Sequence, residues 1–223
     1  MNYQIDDFLF TDHLSKTAMD AIDSGSLVLP DGGVNGILLY GPFGTGKTTL
    51  SKILPPVIER NHPTYFRTSG LGIPGVFNND AEFIVCKSKT SQVEVDNISN
   101  QCKFLSVNNS GIHYFILDEA DNLNVSAQKN LKGLMSLYGN SAFFILTTNY
   151  YNNIDQGLVD RCLRVQMNAG TTANYTKYIN ELTQSTYQTT LPKNTVSDIV
   201  KKAQGSMRQM RLMTRISCLS VSL

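Results

Sequence analysis

The sequence shows no large excess of charge of either sign, and its few cysteines are scattered. Its 19 lysines and arginines against 18 aspartates and glutamates leave a formal net charge of +1. The overall charge therefore does not indicate binding to nucleic acid or to a membrane, and any such surface must be a local patch. The four cysteines are far apart and form no C-x-x-C pair. Their spacing argues against structural zinc and a disulfide framework and predicts reduced thiols.

Long apolar runs are also missing from the sequence. No stretch is long enough to span a bilayer, and the first ten residues carry Asp6 and Asp7 instead of the basic flank and apolar run of a secretory signal. We therefore expect no membrane partner, no secretion, and a location in the cytoplasm or, for a viral protein, in the host-cell cytoplasm or nucleus. With 223 residues, 41% of them hydrophobic, the chain can bury one α/β core and a small second domain.

Short runs of β-branched and aromatic residues alternate with longer amphipathic segments. The runs are 36–40, 83–86, 113–117, 142–147 and 162–166. Apolar runs of this kind are typical of strands that are covered on both faces. Their alternation with helical segments, such as 126–138, predicts an α/β fold with a mainly parallel five-stranded sheet flanked by helices.

The composition changes after Asn168, where a linker-like segment begins. Segments 175–182 and 196–203 have helical spacing, and a further helix is predicted to begin near Ser206. We therefore predict an α/β domain over residues 1–169 and a small helical lid domain over residues 170–223.

Residues 41–48, Gly-Pro-Phe-Gly-Thr-Gly-Lys-Thr, match the phosphate-binding pattern G-x-x-x-x-G-K-[ST] between a predicted strand and a predicted helix. The glycines allow backbone N–H groups to close around phosphate oxygens, and the helix N-terminus adds positive charge. We expect Lys47 to reach the β- and γ-phosphates of ATP and the Thr48 hydroxyl to ligate Mg²⁺. The predicted nucleotide-binding residues are Gly41, Pro42, Phe43, Gly44, Thr45, Gly46, Lys47, Thr48 and Thr49.

The helix that follows this loop contains two adjacent prolines, Pro55 and Pro56. Proline cannot donate an intrahelical hydrogen bond, and its ring crowds the preceding turn. We therefore expect this helix to be short or kinked.

The third and fourth predicted strands both end in polar residues. Asp118 and Glu119 follow the third strand, and Asn149 follows the fourth. Because the carboxyl ends of parallel strands meet at one edge of a sheet, these residues are expected to lie near the phosphate loop. Asp118 is suited to holding Mg²⁺, Glu119 to polarising the attacking water, and Asn149 to orienting that water. Asp121 is expected to be a helix cap or a surface charge.

Beyond these motifs, several segments closely resemble the small subunits of replication factor C-type clamp loaders, which are AAA+ ATPases. The likeness extends from about Phe8 to Arg208 and is densest between residues 116 and 162. Its carriers are the Asp-Glu-Ala-Asp-Asn-Leu run at 118–123, Ala127, Gln128, Leu131, Met135, Tyr138, the run 144–150, and Asp160-Arg161-Cys162.

The resemblance implies roles for three residues in ATP hydrolysis. Asn149 matches sensor 1, and Arg208 in a Gly-x-x-Arg pattern matches sensor 2 of the lid. Arg161 matches the arginine finger, which acts on the ATP of the neighbouring subunit. Glu119, Lys47, Asn149, Arg161 and Arg208 are thus the predicted catalytic residues, with Thr48 and Asp118 as the predicted metal ligands.

The resemblance also implies partners. We expect a homo- or hetero-oligomer, as a ring or partial ring, that works in DNA replication or repair with a sliding clamp or another replication protein. The helix at 126–138 lines the DNA path in that family, where Lys129 and Lys132 would contact phosphates. The sequence departs from the family in having Asp160 where the finger motif has serine, in the double proline, and in ending without the family's collar domain. The chain is thus either a fragment or a compact AAA+ protein.

Two alternatives remain open at the level of sequence. A helicase loader, or a small viral or plasmid helicase of superfamily 3, would share the phosphate loop and the polar end of the fourth strand. The letters Asp-Glu-Ala-Asp also occur in RNA helicases, but that family needs a second RecA-like domain for which this sequence has no room. The second alternative is a non-hydrolysing subunit that binds ATP only to hold an assembly, and the adjacent Asp118 and Glu119 argue against it.

Overall fold

A five-stranded parallel sheet forms the centre of the α/β part of the molecule. The computed structural model describes residues 4–62, 81–88, 91–108, 110–168 and 170–221. The strand order is β2-β3-β4-β1-β5, and every neighbouring pair is parallel. The strands are β1 (Gly36–Tyr40), β2 (Ala81–Val85), β3 (His113–Asp118), β4 (Ala142–Thr148) and β5 (Cys162–Gln166). The predicted fold class is confirmed; β2 begins two residues earlier than predicted, and β3 and β4 each end one residue later.

The central strands carry apolar side chains to both faces of the sheet. All seven residues of β4 are buried. Phe115 and Phe144 stack on one face with ring centroids 5.5 Å apart, and Tyr114 and Phe143 meet on the other at 6.2 Å. Because side chains alternate along a strand, two separate cores form, one on each side of the sheet.

Among the residues that the structure describes, five helices join and cover the strands. They are α1 (His13–Asp23), α2 (Lys47–Asn61), α3 (Ser91–Gln101), α4 (Val125–Leu137) and α5 (Gln156–Val159). The Asp12 side chain caps α1 by accepting from Ser15 N at 2.8 Å, and Asn124 caps α4 by accepting from Ala127 N at 2.9 Å. Side-chain caps of this kind satisfy backbone donors that the first turn leaves free.

The helix after the phosphate loop was expected to be short or kinked; the expectation of a short helix was wrong, and a kink stays a prediction. It runs for 15 residues and includes both Pro55 and Pro56. The prolines remove two backbone donors, but tertiary contacts hold the last turns in place. Ile58 is buried against the sheet, and the buried Glu59 carboxylate accepts from the Tyr114 hydroxyl at 2.7 Å. Packing therefore outweighs the local preference to end the helix at the prolines.

Three further helices follow the sheet and share a core of their own. They are α6 (Thr172–Tyr187), α7 (Lys193–Ala203) and α8 (Met207–Val221). Their buried residues include Tyr175, Ile179, Val196, Ile199, Val200 and Met210, and Leu9 packs against them from the N-terminal segment. A helical lid after the sheet is as predicted; its boundary at residue 170 stays a prediction, and Ala169 lies outside the described residues. Across the part of the chain that the structure describes, none of the helices is both long and apolar enough to cross a membrane.

Candidate active site

The phosphate loop connects the end of β1 to the start of α2. Gly41, Gly44 and Gly46 all have positive φ, at 146°, 78° and 99°. A Cβ atom at Gly41 would collide with the main-chain carbonyl of Met167. This close approach and the left-handed backbone require glycine. The loop therefore delivers the open N-terminus of a 15-residue helix to the carboxyl edge of the sheet, which is a favourable place for an anion.

Lys47 is folded back over this loop. Its side chain is 7% exposed, and Nζ donates to the carbonyl oxygens of Gly41 at 2.8 Å and Pro42 at 2.7 Å. Burial lowers the pKa of the Lys47 ammonium to about 8, although the nearby carboxylates of Asp118 and Asp121 oppose the shift. Two neutral carbonyl oxygens thus hold the Lys47 ammonium at the phosphate loop. A charged phosphate oxygen is a stronger acceptor and can replace them.

The two predicted metal ligands are in direct contact. The Thr48 hydroxyl, on the first turn of α2, donates to Asp118 Oδ1 at 2.8 Å across the end of β3. A hydroxyl and a carboxylate are the oxygen ligands that Mg²⁺ prefers in proteins. The pair therefore fits the predicted metal site.

Two hydroxyl groups at the end of β4 form hydrogen bonds with the acidic segment at and just after the end of β3. Thr147 Oγ1 donates to Asp118 Oδ1 at 2.7 Å and accepts from Glu119 N at 3.0 Å. Thr148 Oγ1 donates to Asp121 Oδ1 at 2.6 Å. Asp121 is therefore an internal hydrogen-bond acceptor at the sheet edge, and the expectation of a cap or surface charge was wrong. The sequence did show two hydroxyl residues at a strand end, but only the strand order reveals that they face β3.

Glu119 and Asn149 lie at the same edge. Glu119 is exposed, has a left-handed backbone (φ 58°, ψ 50°), and accepts from Asn122 Nδ2 at 3.2 Å. Asn149 is half-buried directly after β4, in a turn closed by a hydrogen bond from Tyr150 N to Thr148 Oγ1 at 2.9 Å. The structure thus brings the carboxylate predicted to activate water and the amide predicted to orient it to the strand ends beside the phosphate loop.

The lid closes the other side of the loop. A cavity of about 280 Å³ lies between them, lined by Asp7, Phe8, Leu9, Gly44, Thr45, Gly46, Thr49, Tyr178, Met207, Arg208 and Arg211. The backbone N–H of Arg208 donates to the Gly44 carbonyl at 3.4 Å, so the predicted sensor 2 residue lies over the loop. Arg211 donates to the Tyr178 hydroxyl and faces its ring. Phe8, Tyr178 and Arg211 were not predicted as site residues. Phe8 is about 170 residues or more from the other two along the chain, so no local sequence pattern relates it to them.

One predicted loop residue contributes backbone only. The Phe43 side chain is 63% exposed and points to the Tyr150 ring, with centroids 6.0 Å apart in an edge-on arrangement. The expected contribution of Phe43 to phosphate binding is therefore confined to its backbone N–H group.

Arg161 lies at the opposite edge of the sheet. It directly precedes β5, whose first residue Cys162 pairs with Gly36 at the start of β1. Its guanidinium donates to Ser136 Oγ at 2.9 Å and to the Gly157 carbonyl at 2.8 Å. The five residues of β1 separate it from the phosphate loop by about 16 Å at about 3.3 Å per residue. Of the predicted catalytic residues, all within the described ranges, Arg161 is the one that does not join the others.

The two lysines of α4 differ in their surroundings. Lys129 is exposed. Lys132 is half-buried and forms an ion pair with Asp155, with Nζ and Oδ1 3.2 Å apart. The expectation that both lysines are free to contact phosphates therefore fits Lys129 better than Lys132.

Comparison with known proteins places this site in a family. The model of the "ATPase family associated with various cellular activities (AAA)" matches residues 37–169, which is more than half of the chain. Replication factor C small subunit 1 of Pyrobaculum islandicum is 29% identical over 126 residues, covering 56% of this chain and 34% of that protein. The replication factor C small subunit of Sulfolobus acidocaldarius is 29% identical over 130 residues, covering 56% and 34%. The chain thus spans about a third of the length of the curated relatives it matches.

Solved structures agree with the fold. RuvB from Thermotoga maritima superposes with a TM-score of 0.65 at 18% identity, covering 96% of this chain and 64% of that one. A DNA polymerase III gamma subunit-related protein from the same organism gives a TM-score of 0.55 at 11% identity, covering 95% and 60%. At these identities the likeness supports the fold alone. The family model matches the sheet and its phosphate loop, so the chain belongs to the AAA family of ATPases. The chain also resembles the small subunits of replication factor C.

Proposed function

We propose that this chain is an ATP-hydrolysing AAA+ subunit of clamp-loader type that acts on DNA in replication or repair. The observation that carries the proposal is the division of polar groups between the two edges of the sheet. Thr48 and Thr147 both donate hydrogen bonds to Asp118 at the carboxyl edge, whereas Arg161 lies at the amino edge. Such a subunit can bind nucleotide itself but needs a neighbour to supply a guanidinium.

The loop and lid residues bind and orient the ATP. Backbone N–H groups of residues 43–49 surround the phosphates, and the Lys47 ammonium leaves the carbonyls of Gly41 and Pro42 to pair with phosphate oxygens. Arg208 approaches the same phosphates from the lid. These contacts hold the γ-phosphate at the strand ends, where positioning and charge compensation provide most of the catalysis of phosphoryl transfer.

The acidic residues organise the metal and the water. Thr48 and Asp118 would hold Mg²⁺, which when bound compensates the negative charge of the phosphates. The exposed Glu119 carboxylate accepts a proton from the attacking water, and Asn149 orients that water. Glu119 and Asn149 reach this task from two neighbouring strands, so their spacing depends on the pairing of β3 with β4.

The guanidinium of Arg161 acts on the nucleotide of an adjacent subunit. The length of β1 keeps it from its own phosphate loop, and at the amino edge it can face another molecule. An arginine supplied by a neighbour stabilises charge developing on the γ-phosphate and makes hydrolysis depend on assembly. A homo- or hetero-oligomeric ring or partial ring follows from this arrangement.

DNA contact is assigned to the exposed face of α4. Lys129 is available for phosphates, and a ring of subunits would multiply one weak contact per subunit. The archaeal relatives are named as replication factor C small subunits, which supports DNA replication as the setting and a sliding clamp or another replication protein as the client.

The test is to measure ATP turnover and mass in solution together, with Mg²⁺, and with or without primed double-stranded DNA. We expect turnover that requires Mg²⁺, rises more than proportionally with protein concentration, and increases with DNA. Lys47→Ala is the matched control for contaminating ATPase. Turnover that stays proportional to protein concentration in a monomeric sample would contradict the shared site, and an absence of turnover in an ATP-bound oligomer would instead indicate a structural subunit.

A further inference from the structure

One hydroxyl group at the end of β4 touches both acidic residues that the proposed reaction uses. Thr147 Oγ1 donates to Asp118 Oδ1 at 2.7 Å and accepts from the backbone N–H of Glu119 at 3.0 Å. Its side chain is 2% exposed. A hydroxyl has one hydrogen to donate, and Thr147 spends it on the predicted metal ligand while holding the next residue by its backbone.

The strand register explains this contact. β3 and β4 run parallel, with Leu117 opposite Leu146, so that Asp118 and Thr147 are the next pair along. Residues opposite each other in a sheet point to the same face. The Thr48 hydroxyl reaches the same Asp118 Oδ1 from α2 at 2.8 Å. Two hydroxyls from different elements thus fix one oxygen of the Asp118 carboxylate.

The bond to Glu119 restrains an unfavourable backbone. Glu119 has φ 58° and ψ 50°, a left-handed conformation that residues with a Cβ adopt only when their surroundings enforce it. The accepted N–H bond is one such restraint, and the turn bond from Asn122 N to the Glu119 carbonyl at 2.9 Å is another. This conformation directs the chain away from the strand immediately after Asp118, which leaves Glu119 exposed at the sheet edge.

We propose that Thr147 is a positioning residue for ATP hydrolysis, which sets the orientation of the Asp118 carboxylate and the backbone of Glu119 through a single hydroxyl. The inference rests on the proposed ATPase function. Hydrogen-bond partners of metal-ligating carboxylates orient the ligand, and their loss commonly costs about 10- to 100-fold in metal affinity or activity. Thr147 lies on β4, two residues before Asn149. Its hydroxyl therefore links the strand that leads to Asn149 with the end of β3, where Asp118 and Glu119 lie.

The experiment compares two substitutions at Thr147 with a matched control elsewhere. Thr147→Val keeps the shape but removes the hydroxyl, and Thr147→Ser keeps the hydroxyl. Thr183→Val is the control, because Thr183 is also buried (1% exposed) but donates only to the Asn180 carbonyl, at 2.9 Å, within lid helix α6. Each variant is measured as the full chain. The measurements are kcat, KM and the melting temperature. A titration with Mg²⁺ also gives the concentration at which half of the Mg²⁺-dependent change in nucleotide affinity is reached.

A positioning role predicts a specific pattern. Thr147→Val should lower kcat by about 10-fold to 100-fold and raise the half-saturating Mg²⁺ concentration, with the affinity for nucleotide in the absence of Mg²⁺ unchanged. Thr147→Ser should stay close to the wild type in both respects. Thr183→Val should change the melting temperature without changing either quantity.

Two results would overturn the proposal. The first is a Thr147→Val protein that melts earlier but keeps its kcat and its Mg²⁺ dependence, which would make Thr147 a purely structural residue. The second is a Thr147→Ser protein as impaired as Thr147→Val, since the hydroxyl would then not be the group that matters. If the wild type itself hydrolyses no ATP, the proposed function fails, and the Mg²⁺ dependence of nucleotide binding still decides the role of Thr147.

Discussion

The two edges of the central sheet differ in how their polar residues are held. At the carboxyl edge, side chains from α2, β3 and β4 are bonded to one another, with Asp118 accepting from both Thr48 and Thr147. At the amino edge, the Arg161 guanidinium donates to two neutral groups, the Ser136 hydroxyl and the Gly157 carbonyl. A carboxylate whose orientation is fixed by two donors is well placed to bind a cation. A guanidinium that donates to neutral groups keeps its positive charge available for an anionic partner. The difference supports the proposal that each subunit binds nucleotide at its carboxyl edge and offers Arg161 to its neighbour.

The largest effect is expected at the carboxyl edge, from removal of its buried cation. Lys47→Ala should weaken ATP binding by about 10³-fold or more, because phosphate charge left uncompensated in a partly buried site costs several kcal/mol. Lys52→Ala is the matched control, as Lys52 is an exposed lysine on the same helix. Calorimetric titration with ATP measures both, and an unchanged affinity in Lys47→Ala would remove the phosphate-binding assignment from this edge.

At the amino edge, the expected loss is in turnover instead of binding. Arg161→Ala should bind ATP as the wild type does, because Arg161 is distant from its own phosphate loop, and its hydrolysis should fall by about 10-fold to 10³-fold. Arg164→Ala, which removes an exposed arginine of β5, is the control. Steady-state turnover and equilibrium binding separate the two effects.

Mixing two defective proteins tests whether the edges of different subunits meet. Arg161→Ala still offers an intact pocket, and Glu119→Gln still offers an intact Arg161. Their mixture should recover part of the turnover, increasingly so at higher protein concentration. If the two proteins assemble together and turnover does not recover, Arg161 is a surface or structural arginine, and the comparison of the edges loses its functional meaning.

A smaller effect is expected from the exposed acid at the carboxyl edge. Glu119→Gln should keep ATP binding and slow hydrolysis by about 10²-fold, because glutamine has nearly the same shape but cannot accept the proton of the attacking water. Glu181→Gln, at an exposed carboxylate of the lid, is the control. Single-turnover kinetics with bound ATP measure the rate of the chemical step. If Glu119→Gln hydrolysed ATP at the wild-type rate, a residue other than Glu119 would have to activate the water.

The smallest expected effect is a dependence of ATP affinity on pH. Burial lowers the pKa of Lys47 from 10.5 to about 8, so the free protein loses this proton as the pH rises through about 8, whereas bound phosphate favours the ammonium. Above that pH, binding must take up a proton, and the affinity should fall by up to about 10-fold per pH unit. Calorimetry in two buffers of different ionisation enthalpy detects the uptake. A flat affinity up to about pH 9.5 would mean that Lys47 stays charged in the free protein.

The sequence by itself determined the secondary structure of the sheet and which polar residues lie at its carboxyl edge. The strands were predictable because continuous apolar runs such as that of β4 have few other stable arrangements. The residues of the phosphate loop, Asp118 and Glu119 were predictable because their chemistry depends on spacing along the chain and on the strand ends they follow. The expectation of a short helix failed at Pro55 and Pro56, where burial of α2 against the sheet outweighs the lost backbone hydrogen bonds.

Only the tertiary structure decided which of these residues meet. The contact of Thr147 with Asp118 depends on β4 lying between β3 and β1, and the cavity that joins Phe8 to Arg211 depends on the lid folding back over the loop. Likewise, the distance of Arg161 from the phosphate loop follows from the pairing of β5 with β1. Strand order and lid placement are set by the packing of apolar faces that are far apart in the chain. Local patterns of residue type specify each face, but not the partner against which it packs.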